Sequence, residues 1–274
     1  MKYLLPLLLL FAGSTLFGQS AELVTYKQLD TTALQLEVLL PNDYDPAGTH
    51  PAIVFFFGGG WNTGTREHLR PQAEYFNQRG FVCFLADYRT KKGHGTDPFA
   101  AVMDAKSALR YVRAHAGQWR IDTARIAAAG GSAGGHLAAT TAMIDDYNDP
   151  GDDLSVSSRP AALLLFNPVV DNGPAGYGYE RIGEAYPRFS PLHNIDADTP
   201  PTIFFLGTDD HLIPVTTAEY YCMAIERVGG RCELHVYEGG RHGFFNVQNA
   251  EHFRATMEAS ERFLRELGWI TSAP

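Results

Sequence analysis

Gly130-Gly131-Ser132-Ala133-Gly134 is the most informative stretch of this sequence. It follows a short apolar run, residues 125–129, and precedes a helix-compatible segment, residues 136–143. A serine in a sharp strand-to-helix turn leaves no room for neighbouring side chains, so flanking glycines let the backbone close around it. The hydroxyl then stands at a helix N-terminus, where N–H groups favour negative charge. By itself the stretch also fits a plain Gly/Ser turn.

A glycine run upstream favours the more specific interpretation. Gly58-Gly59-Gly60-Trp61 follows an apolar strand-like run, residues 51–57. Bare backbone can approach a substrate there, and each N–H aimed at a developing oxyanion can lower a barrier by roughly 3 kcal/mol. We expect such donors at Gly59, Gly60 and Ala133. The alternative is a flexible hinge, but a tryptophan directly after the glycines suits a pocket wall, so Trp61 is predicted to contact substrate.

An acid and a base follow later in the chain. Residues 202–214 form a buried-strand pattern that ends in a loop with two adjacent carboxylates, Asp209 and Asp210, either of which could orient a base. His242 follows another strand pattern, residues 232–237, through a glycine turn. The order serine, acid, histidine belongs to the α/β-hydrolase arrangement and differs from the orders in the other large serine-protease folds.

With these motifs the chain resembles the α/β-hydrolase superfamily, and within it bacterial esterases similar to hormone-sensitive lipase and to carbohydrate acetyl and feruloyl esterases. The resemblance covers nearly all of the chain after its N-terminal segment. It rests on six motifs: Gly58-Gly59-Gly60-Trp61, Asp87-Tyr88-Arg89, residues 104–113, residues 130–137, residues 207–214 and His242-Gly243-Phe244.

The resemblance implies which carboxylate is the acid. In the family it stands fourth in a Gly-Thr-x-Asp-x-x-[Val/Ile]-Pro pattern, which here is Asp210, and Asp209 is then a solvated turn residue or a helix cap. The chain departs from the family at Phe57, where a histidine usually opens the oxyanion loop. The backbone donors survive this change, which affects the side-chain bracing of the loop.

The pattern of apolar runs predicts an α/β fold. A chain of 274 residues with 45% hydrophobic content can bury one large core. Strand-like runs alternate with helical patterns or long loops, which indicates a mostly parallel central sheet with helices on both faces and an antiparallel edge formed by the earliest strands. The predicted strands are residues 33–40, 52–57, 81–85, 125–129, 161–166, 202–206 and 232–237.

Residues 167–198, rich in glycine and tyrosine, are predicted to be a small cap insertion over the nucleophile, as the superfamily implies. A loop of about thirty residues in a compact domain is usually functional. Tyr177 and Tyr179 could stack on a sugar ring, and Arg181 or Arg188 could meet an acidic group. An ordinary surface loop stabilised by its aromatic residues remains the alternative.

The N-terminal segment, residues 1–20, has one basic residue, a short leucine core and then small residues, which predicts a secretory signal peptide. Its apolar run is short for a membrane anchor, which needs about 20 residues. Residues 21–274 would then form the catalytic domain, located in a periplasm or secreted. In an oxidising compartment Cys222 and Cys232 could pair across a glycine turn, unless helix and strand point them to different layers.

Charge and histidine spacing narrow the classes of partner. A net charge of −9 and scattered arginines disfavour nucleic acid. The ten histidines show no zinc-helix spacing, and no carboxylate cluster resembles a metal cage, so no metal and no cofactor are predicted. The expected partner is a small-molecule or oligosaccharide ester, without stable membrane insertion. The oligomeric state is left open.

The residues together predict two-step acyl transfer. Ser132 attacks an ester carbonyl, His242 takes its proton and Asp210 orients the imidazole. The predicted enzyme is a serine carboxylesterase for short acyl groups, with acetyl groups on carbohydrates as in an acetylxylan esterase. Two alternatives remain: a serine peptidase of the prolyl-oligopeptidase type, and a non-catalytic binding protein with a hydrolase fold.

Overall fold

The structure, a computed structural model, describes residues 21–270. These residues form a domain around an eight-stranded sheet. The strands are β1 (Glu22–Gln28), β2 (Ala33–Leu39), β3 (His50–Phe56), β4 (Val82–Ala86), β5 (Ile121–Gly131), β6 (Ala162–Phe166), β7 (Thr202–Gly207) and β8 (Cys232–Tyr237). Their order across the sheet is β1-β2-β4-β3-β5-β6-β7-β8. The neighbouring strands from β4 to β8 in this order are parallel, whereas β1 pairs with β2, and β2 with β4, in antiparallel fashion.

Helices connect most of the parallel strands. The α-helices are α1 (Arg70–Asn77), α2 (Lys91–His94), α3 (Pro98–Ala114), α4 (Ala133–Met143), α5 (Tyr179–Ile182), α6 (Val215–Arg227) and α7 (Ala250–Glu266). Short 3₁₀ helices span Arg66–Leu69, Ala116–Trp119, Gly183–Arg188 and Pro191–Asn194. Between residues 21 and 270 we find no helix with the length and apolar character needed to cross a bilayer.

Two apolar cores lie on opposite faces of the sheet. The central strand β3 supplies Val54 and Phe56 to one core, where α3, α4 and α6 pack, and Ile53 and Phe55 to the other, where α1 and α7 pack. Because both faces are covered, residues 51–56 of this strand are continuously apolar instead of alternating. The predicted α/β-hydrolase fold, with its parallel sheet, two helical layers and antiparallel edge, is confirmed.

The first strand, β1, is absent from the sequence prediction. As an edge strand it pairs on one side only, and most of its side chains are at least partly exposed. Its composition therefore lacks the apolar run that identifies the inner strands. The predicted signal peptide, residues 1–20, lies outside the described residues.

The structure joins Cys222 of α6 to Cys232 of β8 in a disulfide, with the two Cα atoms 5.1 Å apart. Helix and strand therefore present these two side chains to each other and not to different layers. Cys83, in β4, is buried as a free thiol.

Candidate active site

Ser132 occupies a strained turn between β5 and α4. Its φ of 55° and ψ of −121° lie in a region that residues with side chains rarely adopt. Three backbone hydrogen bonds hold the turn: Ser132 N donates to Phe166 O at 2.9 Å, and Ser132 O accepts from His136 N at 3.1 Å and from Val169 N at 3.2 Å. The hydroxyl is thereby kept off both the strand and the helix.

The glycines of this turn are required by close backbone packing. A Cβ atom on Gly130 would lie 2.1 Å from the carbonyl oxygen of Gly134. One on Gly134 would lie 2.0 Å from the carbonyl oxygen of Phe56, at the end of β3. Both distances are far inside van der Waals contact and both neighbours are backbone atoms, so only glycine fits at either position.

The three side chains predicted to work together meet at one edge of the sheet. His242 Nε2 is 2.8 Å from Ser132 Oγ, and His242 Nδ1 is 2.7 Å from Asp210 Oδ2. The three residues follow β5, β7 and β8, and the carboxyl ends of parallel strands lie at the same edge. The sheet thus brings together Ser132 and His242, which are 110 residues apart in sequence, and Asp210 and His242, which are 32 apart.

Asp210 is held as a charged carboxylate. Its side chain is fully buried, and burial acts to raise its pKa, but the hydrogen bond and charge of His242 and the amides of Leu212 and Ile213 outweigh this and lower the pKa. Those two amides donate to Oδ1 at 2.9 and 3.1 Å. Asp209 is instead exposed, as expected for a solvated turn residue.

The glycine loop after β3 carries unpaired amides. Gly59 and Gly60 have φ angles of +123° and +63°, and a Cβ atom on Gly59 would lie 2.1 Å from Thr63 O. Within residues 21–270 the N–H groups of Gly59, Gly60 and Ala133 donate to no protein acceptor. Gly59 is exposed, whereas Gly60 and Ala133 are buried, and unpaired backbone donors at buried positions are rare unless a ligand uses them.

Three side chains, those of Phe57, Tyr88 and His68, brace this loop. The Phe57 ring stacks on Tyr88 with centroids 3.9 Å apart, and Tyr88 Oη donates to Phe57 O at 2.8 Å. His68 Nδ1 accepts from Gly58 N at 3.3 Å, which leaves the Nε2 of a neutral ring to donate to Asn246 Oδ1. Desolvation lowers the pKa of His68, which favours that neutral form.

A cavity of about 320 Å³ opens over Ser132. Tyr177 lines it, whereas Trp61 and Arg181 line an adjacent cavity of about 260 Å³. Tyr179 lines neither of the two, and its hydroxyl donates to Glu184. The cavity over Ser132 is lined by Gly58, Gly59, Gly60, His68, Ser132, Asn167, Tyr177, Leu212, His242, Gly243, Phe245 and Asn246.

Asn167 is a residue of this site to which the sequence prediction gave no role. It directly follows β6, is fully buried and has a φ of 36°. Its Oδ1 accepts from Gly243 N at 2.9 Å, and its Nδ2 is 3.4 Å from His242 Nε2. Its position as the first polar residue after the strand next to β5 could have identified it, because such positions share the edge that carries Ser132.

His136, one turn after Ser132, faces the core. Its ring is fully buried, its Nε2 contacts Phe189 O at 3.1 Å, and burial lowers its pKa to about 3. It is therefore a neutral packing residue at neutral pH. Among residues 21–270 no three His, Cys, Asp or Glu side chains gather in a way that could hold a metal ion.

A family profile described as BD-FAE matches residues 36–174, about half of the chain. The chain belongs to the BD-FAE family. The matched part of this BD-FAE protein contains the glycine loop and the Ser132 turn. The dienelactone hydrolase family matches residues 176–270, which contain Asp210 and His242. The resemblance to α/β-hydrolase serine esterases is thus confirmed.

Two curated relatives of this BD-FAE protein are named as ester hydrolases. It is 29% identical to an acetylxylan esterase of Xylanibacter ruminicola, over 97% of this chain and 54% of that protein. It is 27% identical to the probable carboxylic ester hydrolase LipM of Mycobacterium tuberculosis, over 86% of this chain and 58% of that protein. The chain thus spans about half the length of the curated relatives it matches.

Solved structures match over nearly their whole length. Thermogutta terrifontis esterase 2 phosphoramylated by tabun has a TM-score of 0.88 and 43% identity, covering 92% of this chain and 97% of that one. The propionate-bound form of the same esterase has a TM-score of 0.86 and 42% identity, with 93% and 97% covered.

Proposed function

We propose that this BD-FAE protein is a serine carboxylic ester hydrolase. The observation that carries the proposal is the continuous hydrogen-bonded chain from Asp210 through His242 to Ser132 Oγ. A serine hydroxyl bonded to an imidazole, which is in turn bonded to a buried carboxylate, is the arrangement that activates a serine nucleophile. The family membership and the esterase names of its relatives support the same activity.

The first half-reaction follows from these contacts. Ser132 Oγ attacks the ester carbonyl carbon while its proton passes to His242 Nε2. The carbonyl oxygen becomes an anion, which the free N–H groups of Gly59, Gly60 and Ala133 bind. The tetrahedral intermediate then collapses, the bond to the alcohol oxygen breaks, and that oxygen takes the proton from His242. The products are the free alcohol and an acyl group on Ser132.

The second half-reaction restores the enzyme. Water attacks the acyl carbonyl and loses a proton to His242 Nε2, and collapse returns that proton to Ser132 Oγ as the carboxylic acid leaves. Throughout, the Asp210 carboxylate accepts from His242 Nδ1. This keeps the Nε2 lone pair directed at the hydroxyl and stabilises the imidazolium that forms in each step.

For the substrate we propose a short acyl ester, in particular an acetyl group on a carbohydrate. The cavity of about 320 Å³ over Ser132 has room for a small acyl group and part of the alcohol. The related Thermogutta esterase has been solved with propionate and with butyrate bound. An acetylxylan esterase and an endo-1,4-beta-xylanase B of Butyrivibrio fibrisolvens are among the relatives, which supports a carbohydrate as the alcohol.

We also propose that the mature protein works in a periplasm or outside the cell. The N-terminal segment, residues 1–20, supports export through its basic start and leucine core. The Cys222–Cys232 disulfide supports it independently, because such bonds persist mainly in oxidising compartments. Expression with the N-terminal segment intact and sizing of the mature chain in periplasmic, extracellular and membrane fractions tests this. Full-length protein retained in the cytoplasm contradicts it.

The decisive test of the activity compares Ser132→Ala with Ser155→Ala, a change at an exposed surface serine. We expect Ser132→Ala to lower kcat on a short-chain nitrophenyl ester by at least about 10³-fold. It should also abolish fluorophosphonate labelling, while Ser155→Ala behaves as wild type. Wild-type turnover by Ser132→Ala would refute the proposal.

The substrate class is tested with a panel. Acetate release from acetylated xylo-oligosaccharides is compared with cleavage of feruloylated sugars, long-chain lipid esters and an acyl-peptide. We expect the acetylated sugars to have the highest kcat/KM. Preference for long-chain esters contradicts the substrate proposal, and preference for the peptide favours the peptidase alternative.

A further inference from the structure

We propose that Arg181 is a positioning residue that holds the oxyanion loop, residues 58–61, in place. Arg181 belongs to the predicted cap segment, residues 167–198, and the proposal rests on the proposed ester hydrolysis. Its Nη1 donates to the carbonyl oxygen of Gly60 at 2.6 Å, across 121 residues of sequence. From the sequence, Arg181 or Arg188 could meet an acidic group. In the structure, Arg181 Nη1 donates to the backbone of the loop.

The loop needs an external restraint because of its composition. Gly59 and Gly60 have positive φ angles, and Trp61 follows with a φ of 55°. Glycines have the widest choice of backbone conformation, so their N–H vectors are the least fixed by the local sequence. An oxyanion site accelerates a reaction only when its donors are already aimed before the charge develops. A charged donor on the Gly60 carbonyl restricts rotation of the adjoining peptide groups.

The guanidinium is itself held in place. Its carbon lies 5.1 Å from the Trp61 ring centroid and 5.4 Å from that of Tyr177. Trp61 is only 1% exposed, and a Cβ atom on Gly178 would lie 3.1 Å from its ring, so the two segments are in close contact at Gly178. Arg181 also contacts Glu180 at 3.1 Å, but that carboxylate is exposed and holds the guanidinium weakly.

Arg181 differs from the other anchors of the loop in its origin. Tyr88 holds the Phe57 carbonyl and His68 accepts from the Gly58 amide, and both belong to the body of the fold. Among the described residues, the side chain that binds the Gly60 carbonyl comes from the cap segment. The cap segment therefore sets the geometry of the amide donors as well as supplying Tyr177 to the cavity over Ser132.

The experiment compares Arg181→Ala, Arg181→Gln and Arg181→Lys with Arg188→Ala. Arg188 is a second arginine of the cap, with its side chain 71% exposed. On an uncharged acetate ester we expect Arg181→Ala to lower kcat by about 10- to 100-fold, less than the loss of a direct oxyanion donor. The KM should stay within about twofold, Arg181→Lys should recover part of kcat, and Arg188→Ala should match wild type.

A second readout separates positioning from general structural damage. A trifluoromethyl ketone forms an oxyanion on Ser132 and so depends on the amide donors. An uncharged ether analogue of the ester, in which CH₂ replaces the carbonyl group, has no such oxygen. In Arg181→Ala and Arg181→Gln the ketone affinity should fall in step with kcat while the affinity for the ether is unchanged. Arg181→Gln retains a neutral donor and covers the case in which the alanine variant does not fold.

Two results would overturn this proposal without touching the proposed function. A raised KM with unchanged kcat would make Arg181 a substrate contact. Wild-type kcat and ketone affinity in both truncated variants would leave it without a role. Failure of the esterase proposal would be seen in a different variant: Ser132→Ala would keep wild-type turnover.

Discussion

Replacing Asp210 by asparagine tests how the buried carboxylate controls the imidazole. Asp210 Oδ1 accepts from the amides of Leu212 and Ile213, and Oδ2 accepts from His242 Nδ1. In Asp210→Asn the two amides still require an oxygen, so the side-chain NH₂ must face His242. Nδ1 must then accept, and the ring proton moves to Nε2. The nitrogen that should take the Ser132 proton is thereby occupied.

The expected loss follows from this tautomer change. A Ser-His-Asp system whose imidazole is held in the wrong tautomer loses on the order of 10⁴ in kcat. That corresponds to about 5.5 kcal/mol of transition-state stabilisation. The KM should change little, because Asp210 is buried and does not line the cavity over Ser132.

The assay is initial-rate kinetics of Asp210→Asn on a short-chain nitrophenyl ester, with melting temperature as the measure of folding. The matched control is Asp209→Asn, the same chemical change one residue earlier at an exposed position. It should stay within about twofold of wild type. The assignment of the acid is wrong if Asp210→Asn keeps more than a tenth of wild-type kcat. It is also wrong if Asp209→Asn lowers kcat as much as Asp210→Asn does.

Two further predictions concern stability. Joint replacement of Cys222 and Cys232 by serine, or reduction of wild type, removes a cross-link between residues ten positions apart. The free energy of unfolding should fall by about 3 kcal/mol and the Tm by about 6–12 °C; equal melting with and without reductant would count against this. The pKa of Asp210 is lowered in the folded state. Its negative charge therefore stabilises the fold above the unfolded-state pKa of about 3.9. This contribution disappears as pH falls through the lower pKa of the folded state. The difference in unfolding free energy between wild type and Asp210→Asn should therefore shrink from pH 7 to pH 2 in denaturant titrations, and a constant difference would contradict the pKa shift.

The inner strands were predictable because burial on both faces leaves one signature. Strands such as β3 and β7 are apolar at nearly every position, and their predicted bounds agree with the structure to within about two residues. The inner strand β5 begins earlier than predicted, at Ile121 instead of residue 125. The glycines around Ser132 were equally readable, since their backbone neighbours exclude any side chain. The edge strand β1 carries no such signature, because water satisfies its exposed positions.

The order of the functional residues was also readable, but their mutual geometry was not. The sequence alone left Asp209 and Asp210 as alternatives, and the family pattern pointed to Asp210. In the structure the Asp210 carboxylate is buried and accepts from two amides and from His242, whereas Asp209 is exposed. Adjacent residues in a turn point in different directions, which only the path of the backbone decides.

The amino-acid sequence by itself determined the fold class, the Ser132 turn and the glycine loop, because each depends on local burial or on the absence of a Cβ atom. Only the tertiary structure decided that Asn167 contacts the His242 loop and that Arg181 holds the Gly60 carbonyl. Those contacts join residues 76 and 121 positions apart. Their partners are backbone groups, which every residue possesses, so no side-chain pattern in the sequence marks them.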